Sequence, residues 1–281
     1  MNMLTSLLVG AVVVAIGLVV GVRFLEPAFA FFPTAGETET PRDVGVPFEA
    51  STITTRDGER LRVWTLPHPV PRALVVYFHG NGGNLSVWSS ILAGVQRQGV
   101  TVIAFDYRGY GASTGRPTER GLYSDVDAIV DAIARSDGYG IPIIFWGRSL
   151  GTAMAAYAAT IRRPDGVILE SGFPDAMSVT RSSPVMAFLS LFSTYRFPTA
   201  DLMKKVSVPV LVMHGDNDSV IPYALGRALF DRINGPKQFV TLRGADHNDG
   251  TPPDAAAYWN AVGSFVNSIA AQNRERRSDL R

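Results

Sequence analysis

Apolar and polar positions along this chain fall into two regimes. From Met3 to Val22, twenty residues pass without a charge, and Leu, Val, Ile, Ala and Gly dominate. A helix rising about 1.5 Å per residue over that length spans about 30 Å, the hydrocarbon thickness of a bilayer. A core helix of a globular domain would carry a polar face, and this run carries none. Arg23 and Glu26 close it and Pro27 breaks it. Residues 1–26 therefore read as a single-pass N-terminal transmembrane anchor, with the lipid bilayer as partner. The alternative is a protein secreted after signal-peptide cleavage near Ala30, where Ala28-Phe29-Ala30 offers a small-x-small site. Against it, no Lys or Arg precedes the apolar run, which also exceeds the usual length of about 7–15 residues.

Beyond the anchor the pattern changes. Residues 27–47, with Pro27, Pro33, Pro41 and Pro47, predict an extended linker rather than a packed element. Ser51–Thr55 and Glu59–Leu66 then read as two strands around an Asp57-Gly58 turn. Short apolar, β-branched runs follow at Ala73–Phe78, Thr101–Phe105, Ile141–Trp146, Val167–Leu169, Val208–Met213 and Gln238–Leu242. Helical stretches alternate with them at Asn84–Gln98, Gly121–Arg135, Leu150–Arg162, Tyr223–Ile233 and Pro253–Ala271. Strands without a polar face, alternating with helices, imply an α/β fold: a mostly parallel sheet covered on both sides. The rhythm fails across 172–207, which predicts a short lid insertion whose apolar stretch, Pro184–Phe192, suits an acyl pocket or a packed helix equally. The domain is thus expected over 48–271, with a flexible tail at 272–281.

Composition narrows the chemistry. A net charge of +1 over 281 residues, 18% of them charged, gives no nucleic-acid surface. Cysteine is absent, so disulfides and thiolate nucleophiles are excluded. His68, His79, His214 and His247 lack metal-ligand spacing, so neither a metal nor another cofactor is expected.

The distinctive polar residues follow the carboxyl ends of the strands, where open parallel sheets gather their sites. Gly147-Arg148-Ser149-Leu150-Gly151 sits between an apolar strand and an alanine-rich helix, the setting of a nucleophile elbow. A serine hydroxyl needs a base, and His247, on the loop after the last strand, is the candidate. The imidazolium needs a carboxylate: Asp218 gives the chain order Ser, Asp, His, with Asp216, Asp246 and Glu170 as competitors. The oxyanion needs N–H donors, expected from the backbones of Leu150 and Asn81, with Gly82 as the second choice in that loop. His79 is expected to brace the same loop. Asp106, Arg108 and Tyr110 read as a structural cluster, and Trp88, Trp146 and Trp259 as packing residues.

With His79-Gly80-Asn81-Gly82-Gly83-Asn84, Asp106-Tyr107-Arg108-Gly109-Tyr110-Gly111, Gly147-Arg148-Ser149-Leu150-Gly151, His214-Gly215-Asp216-Asn217-Asp218 and His247-Asn248-Asp249 in order, residues 48–270 resemble the α/β-hydrolase superfamily. The likeness is closest to its membrane-anchored, Bem46-like branch, of the alpha/beta hydrolase domain-containing 13 and 17 type. That resemblance implies an eight-stranded core and a Ser149–Asp218–His247 triad. Asp246 departs from the glycine usual before the histidine, and 172–206 is short for a lid. The expected activity is a serine hydrolase acting on small-molecule carboxylic esters or thioesters through an acyl-serine, with acyl lipids among the candidate substrates. A serine peptidase or acyltransferase on the same residues, or a non-catalytic membrane-tethered binding protein, are the alternatives. Oligomeric state is not specified.

Overall fold

Eight strands carry the domain in the computed structural model, which describes residues 3–135, 140–181, 187–188, 190–191 and 193–279. They are β1 (Glu49–Thr54), β2 (Arg60–Leu66), β3 (Leu74–Phe78), β4 (Thr101–Phe105), β5 (Ile143–Arg148), β6 (Gly166–Glu170), β7 (Val210–Gly215) and β8 (Lys237–Leu242). Their order across the sheet is 1-2-4-3-5-6-7-8. The β1–β2 and β2–β4 pairings are antiparallel, and every other pairing is parallel.

The central strands are buried at nearly every position and mostly apolar, because both faces of the sheet are covered. Val76, Phe78 and Phe145 point into one core; Val75, Tyr77, Ile144 and Trp146 point into the other. The covering helices include α2 (Leu85–Gln96), α3 (Glu119–Arg135), α4 (Leu150–Ile161), α7 (Tyr223–Asp231) and α8 (Ala255–Ser278). Among the described residues of 172–207, α5 (Ala176–Thr180) and α6 (Thr199–Met203) are short helices. The apolar run Pro184–Phe192 falls largely outside the described residues; of those described, Phe188 and Leu191 are exposed.

At the N-terminus, α1 (Met3–Ala30) is long and apolar enough to cross a membrane, and its most apolar window is unburied. Pro27 does not end the helix, since the Phe31 amide still bonds to the Pro27 carbonyl at 3.2 Å.

Two stretches differ from their sequence reading. Residues 31–46 are extended over much of their length, but they lie on the domain rather than bridging to it. Phe31 is buried against Tyr195 and Phe197, Phe32 and Pro33 pair with Gly82 and Gly83, and Glu37 receives both Arg62 and the Trp64 indole. Helix there is limited to one 3-10 turn at Pro41–Val44, and the backbone left unpaired finds acceptors and donors on the domain surface. At the other end, α8 continues to Ser278, where a frayed tail is expected after 271. Asn273 and Arg276 reach Asp165 and hold that extension.

Candidate active site

Sharp reversal between β5 and α4 creates the central feature of the site. Ser149 sits there with φ 53° and ψ −120°, a strained positive-φ conformation that costs a non-glycine residue about 1–3 kcal/mol. Its amide bonds the Glu170 carbonyl at 2.9 Å, which ties the strained turn to the neighbouring strand. Glycine flanks it for steric reasons. A Cβ on Gly147 would overlap the Gly151 carbonyl, and one on Gly151 would overlap the Phe78 carbonyl.

The half-buried Ser149 hydroxyl lies 3.0 Å from His247 Nε2. His247 Nδ1 in turn lies 2.8 Å from Asp218 Oδ2. Chain separations of 98 and 29 residues are closed by the sheet order, because β5 and β7 both direct their ends toward this rim. Asp218's other oxygen accepts the amides of Val220 and Ile221 at 3.0 and 2.7 Å.

The competing acids are occupied elsewhere. Asp216 caps the Gly244 amide at 2.6 Å and Asp246 caps that of Ser219 at 2.7 Å. Glu170 is buried and accepts from the Trp146 indole and the Tyr258 hydroxyl, both at 3.1 Å.

Known proteins carry the same frame. A family model for the alpha/beta hydrolase fold matches residues 73–204. An uncharacterized protein of Mycobacterium tuberculosis is 30% identical over 262 residues, covering 92% of each chain. Alpha/beta hydrolase domain-containing protein 17B of Homo sapiens is 36% identical over 188 residues, covering 64% of this chain and 62% of that protein. This chain belongs to the α/β-hydrolase family. An esterase of Pyrococcus furiosus shares the fold with a TM-score of 0.69 at 18% identity, over 85% of this chain and 97% of that one.

In this α/β hydrolase, electrostatics favour an ionised Asp218. Burial alone would raise its carboxyl, but hydrogen bonds from His214 and His247 outweigh burial and hold it well below the usual range. His214, fully buried, is 3.3 Å from Asp218 Oδ2 and 2.8 Å from the Ile221 carbonyl. Sequence reasoning did not give His214 a role; its spacing of four from Asp218 was the available signal.

Asn81 and Leu150 flank the same rim. Among the described residues neither backbone N–H bonds a main-chain acceptor outside the regular elements. Gly82, the second choice, is drawn into pairing with Phe32. The Asn81 side chain is held on two sides: its amide nitrogen donates to the Ala30 carbonyl at 2.7 Å, and its oxygen accepts from Tyr110 at 2.8 Å. Tyr110 also donates to the Asn81 carbonyl at 3.0 Å. It therefore bears on the site more directly than a merely structural cluster would. His79 is buried beneath this loop, with Nδ1 2.7 Å from the Gly80 carbonyl. Asp106 caps the Leu85 amide at 2.9 Å, and Arg108 bridges Asp125 and Asp57. Trp88 lies under the Arg148 guanidinium, Trp146 is fully buried, and Trp259 packs beside Gly94. Among the described residues, no group of three or more His, Cys, Asp or Glu is arranged to hold a metal.

Proposed function

We propose that this protein is a membrane-anchored serine hydrolase that cleaves carboxylic esters or thioesters through an acyl-Ser149 intermediate. The observation that carries the reading is the continuous relay from Ser149 Oγ to His247 Nε2 at 3.0 Å and from His247 Nδ1 to Asp218 at 2.8 Å.

Ser149 attacks the acyl carbonyl carbon as His247 Nε2 takes the hydroxyl proton. Asp218 accepts from Nδ1–H, fixing the tautomer and stabilising the imidazolium. The oxyanion receives the Asn81 and Leu150 amides, the second of which opens α4 with its favourable dipole. The tetrahedral species collapses as His247 protonates the departing alkoxide or thiolate. Water, deprotonated by the same imidazole, then attacks the acyl-serine. A second tetrahedral species forms and releases the acid with Ser149 restored.

Support for the anchor is the uncharged run Met3–Val22 of α1, together with the unburied state of the helix's most apolar window. A fluorophosphonate probe tests the chemistry. Ser149 should be labelled in the wild type, and labelling should vanish in Ser149→Ala while the melting temperature holds. A folded wild type that resists the probe overturns the reading.

A further inference from the structure

Three arginines from three separate elements converge on one cleft at the foot of α1. Arg23 comes from α1, Arg120 from the first turn of α3, and Arg196 from the segment before α6. The cleft holds about 470 Å³. All three side chains are exposed. The arginine–carboxylate pairs among the described residues involve Arg56, Arg62, Arg108, Arg148 and Arg276, and none involves these three.

Two carboxylates share the cleft, and each is committed to neighbouring donors. Glu26 accepts the amides of Thr194 and Tyr195 together with the hydroxyls of Ser193 and Thr194. Glu119 accepts the amides of Arg196 and Phe197 at 2.6 and 2.7 Å and the Tyr123 hydroxyl at 2.7 Å. These bonds hold the 193–197 segment to α1 and α3. The guanidiniums are left as the donors facing an incoming ligand, and a planar guanidinium matches phosphate oxygens in pairs.

Position selects the ligand. Arg23 is the first charge after the apolar span, so in the anchored arrangement proposed above it stands at headgroup depth. Anionic lipids attract basic groups at that level. We propose that the cleft binds the phosphate of an anionic phospholipid headgroup, and that the bound headgroup clamps anchor, α3 and lid together. This inference rests on the anchor reading but not on the catalytic one.

The full chain, purified in a neutral detergent, is titrated with phosphatidylglycerol or phosphatidylcholine of matched chains and read by native mass spectrometry. Phosphatidylglycerol should be retained about tenfold better, and an Arg120→Gln, Arg196→Gln double variant should lose that preference. Equal retention of the two lipids overturns the proposal, as does an unchanged preference in the variant. Competition by millimolar inorganic phosphate as effective as that by the lipid overturns the lipid assignment in favour of a soluble phosphate ligand. Alkaline carbonate extraction of membranes reports the anchor independently: release of the protein would sink that premise, whatever the lipid binding shows. Ser149 labelling by fluorophosphonate should be the same in the double variant, which separates this site from catalysis; a labelling loss matching the lost lipid preference would trace both to misfolding and overturn the inference.

Discussion

Arg148 donates through a single guanidinium nitrogen to the backbone carbonyls of His247 and Asp249, at 3.0 and 2.6 Å. The residue preceding the candidate nucleophile thus holds the loop that presents the candidate base. Its position follows from register: Arg148 and Glu170 are partners across β5 and β6, their side chains 3.6 Å apart, and Trp88 lies under the guanidinium at 5.3 Å. Burial opposes the Arg148 charge, but Glu170, Tyr77 and Tyr258 together outweigh it and keep the guanidinium protonated.

Arg148→Ala is therefore expected to lower kcat by about 10- to 100-fold with little change in KM, because misplacing the imidazole harms the reaction more than binding. Arg148→Lys should recover only part of the loss, since an ammonium cannot reproduce the planar fork. Steady-state kinetics on a chromogenic ester, beside a circular-dichroism melt, separate this from unfolding. A kcat unchanged in Arg148→Ala would remove the positioning role.

Of Asp216, Asp218 and Asp246, Asp218 alone should matter to the chemistry. Asp218→Asn is expected to cost about 10³- to 10⁴-fold in kcat by disturbing the imidazole tautomer. Asp216→Asn and Asp246→Asn should stay within severalfold of wild type. Stability carries a second signature. A carboxyl depressed on folding adds stability that is complete above its ordinary value of 3.8 and is lost as pH falls toward the folded value. The melting-temperature gap between wild type and Asp218→Asn should accordingly narrow as pH drops from about 5 toward 3. A gap that widens over that range contradicts the assignment.

The candidate oxyanion loop should depend on its two braces. Tyr110→Phe removes the hydroxyl donor to both Asn81 oxygens and should lower kcat severalfold at constant KM. Deleting residues 1–36 removes the Ala30 carbonyl and the strand beside Gly82 and Gly83, so kcat should fall about tenfold, whereas deleting 1–22 should preserve it in detergent. Equal kcat in the two truncations would show that the 30–36 segment is not needed there.

Gly151→Ala should destabilise the fold by about 3 kcal/mol or more, since its methyl would overlap a backbone carbonyl that cannot swing aside. Gly17→Ala, with open space around the added carbon, is the control. Chemical denaturation of both variants in detergent reads the difference, and equal stabilities would contradict the steric account of the elbow.

All eight principal strands and helices α2, α3, α4, α7 and α8 were legible in the sequence, the central strands because two-sided burial leaves a continuous apolar run. The glycines around Ser149 and the Ser, Asp, His order were legible too, since a tight turn constrains its own few residues. Contacts with no local signature were hidden. Pro33, Pro41 and Pro47 announced that the chain after Ala30 would not run on as a long helix, but not that Phe31 would bury itself beside the lid. The tail after 271 carried charges that looked solvated, and only the fold gave them partners more than a hundred residues away in sequence, Asp165 for Arg276 and the Gly140 carbonyl for Arg277.

The chain by itself determined which segments are strands, where its glycines must stand, and which side chains could do chemistry, because each of these is set by neighbours a few residues apart. Tertiary structure decided which of Asp216, Asp218, Asp246 and Glu170 meets His247, and that Arg148 holds the His247 loop. Those pairings depend on strand order and register, which bring together groups separated by 29 and 99 residues. No local periodicity encodes them.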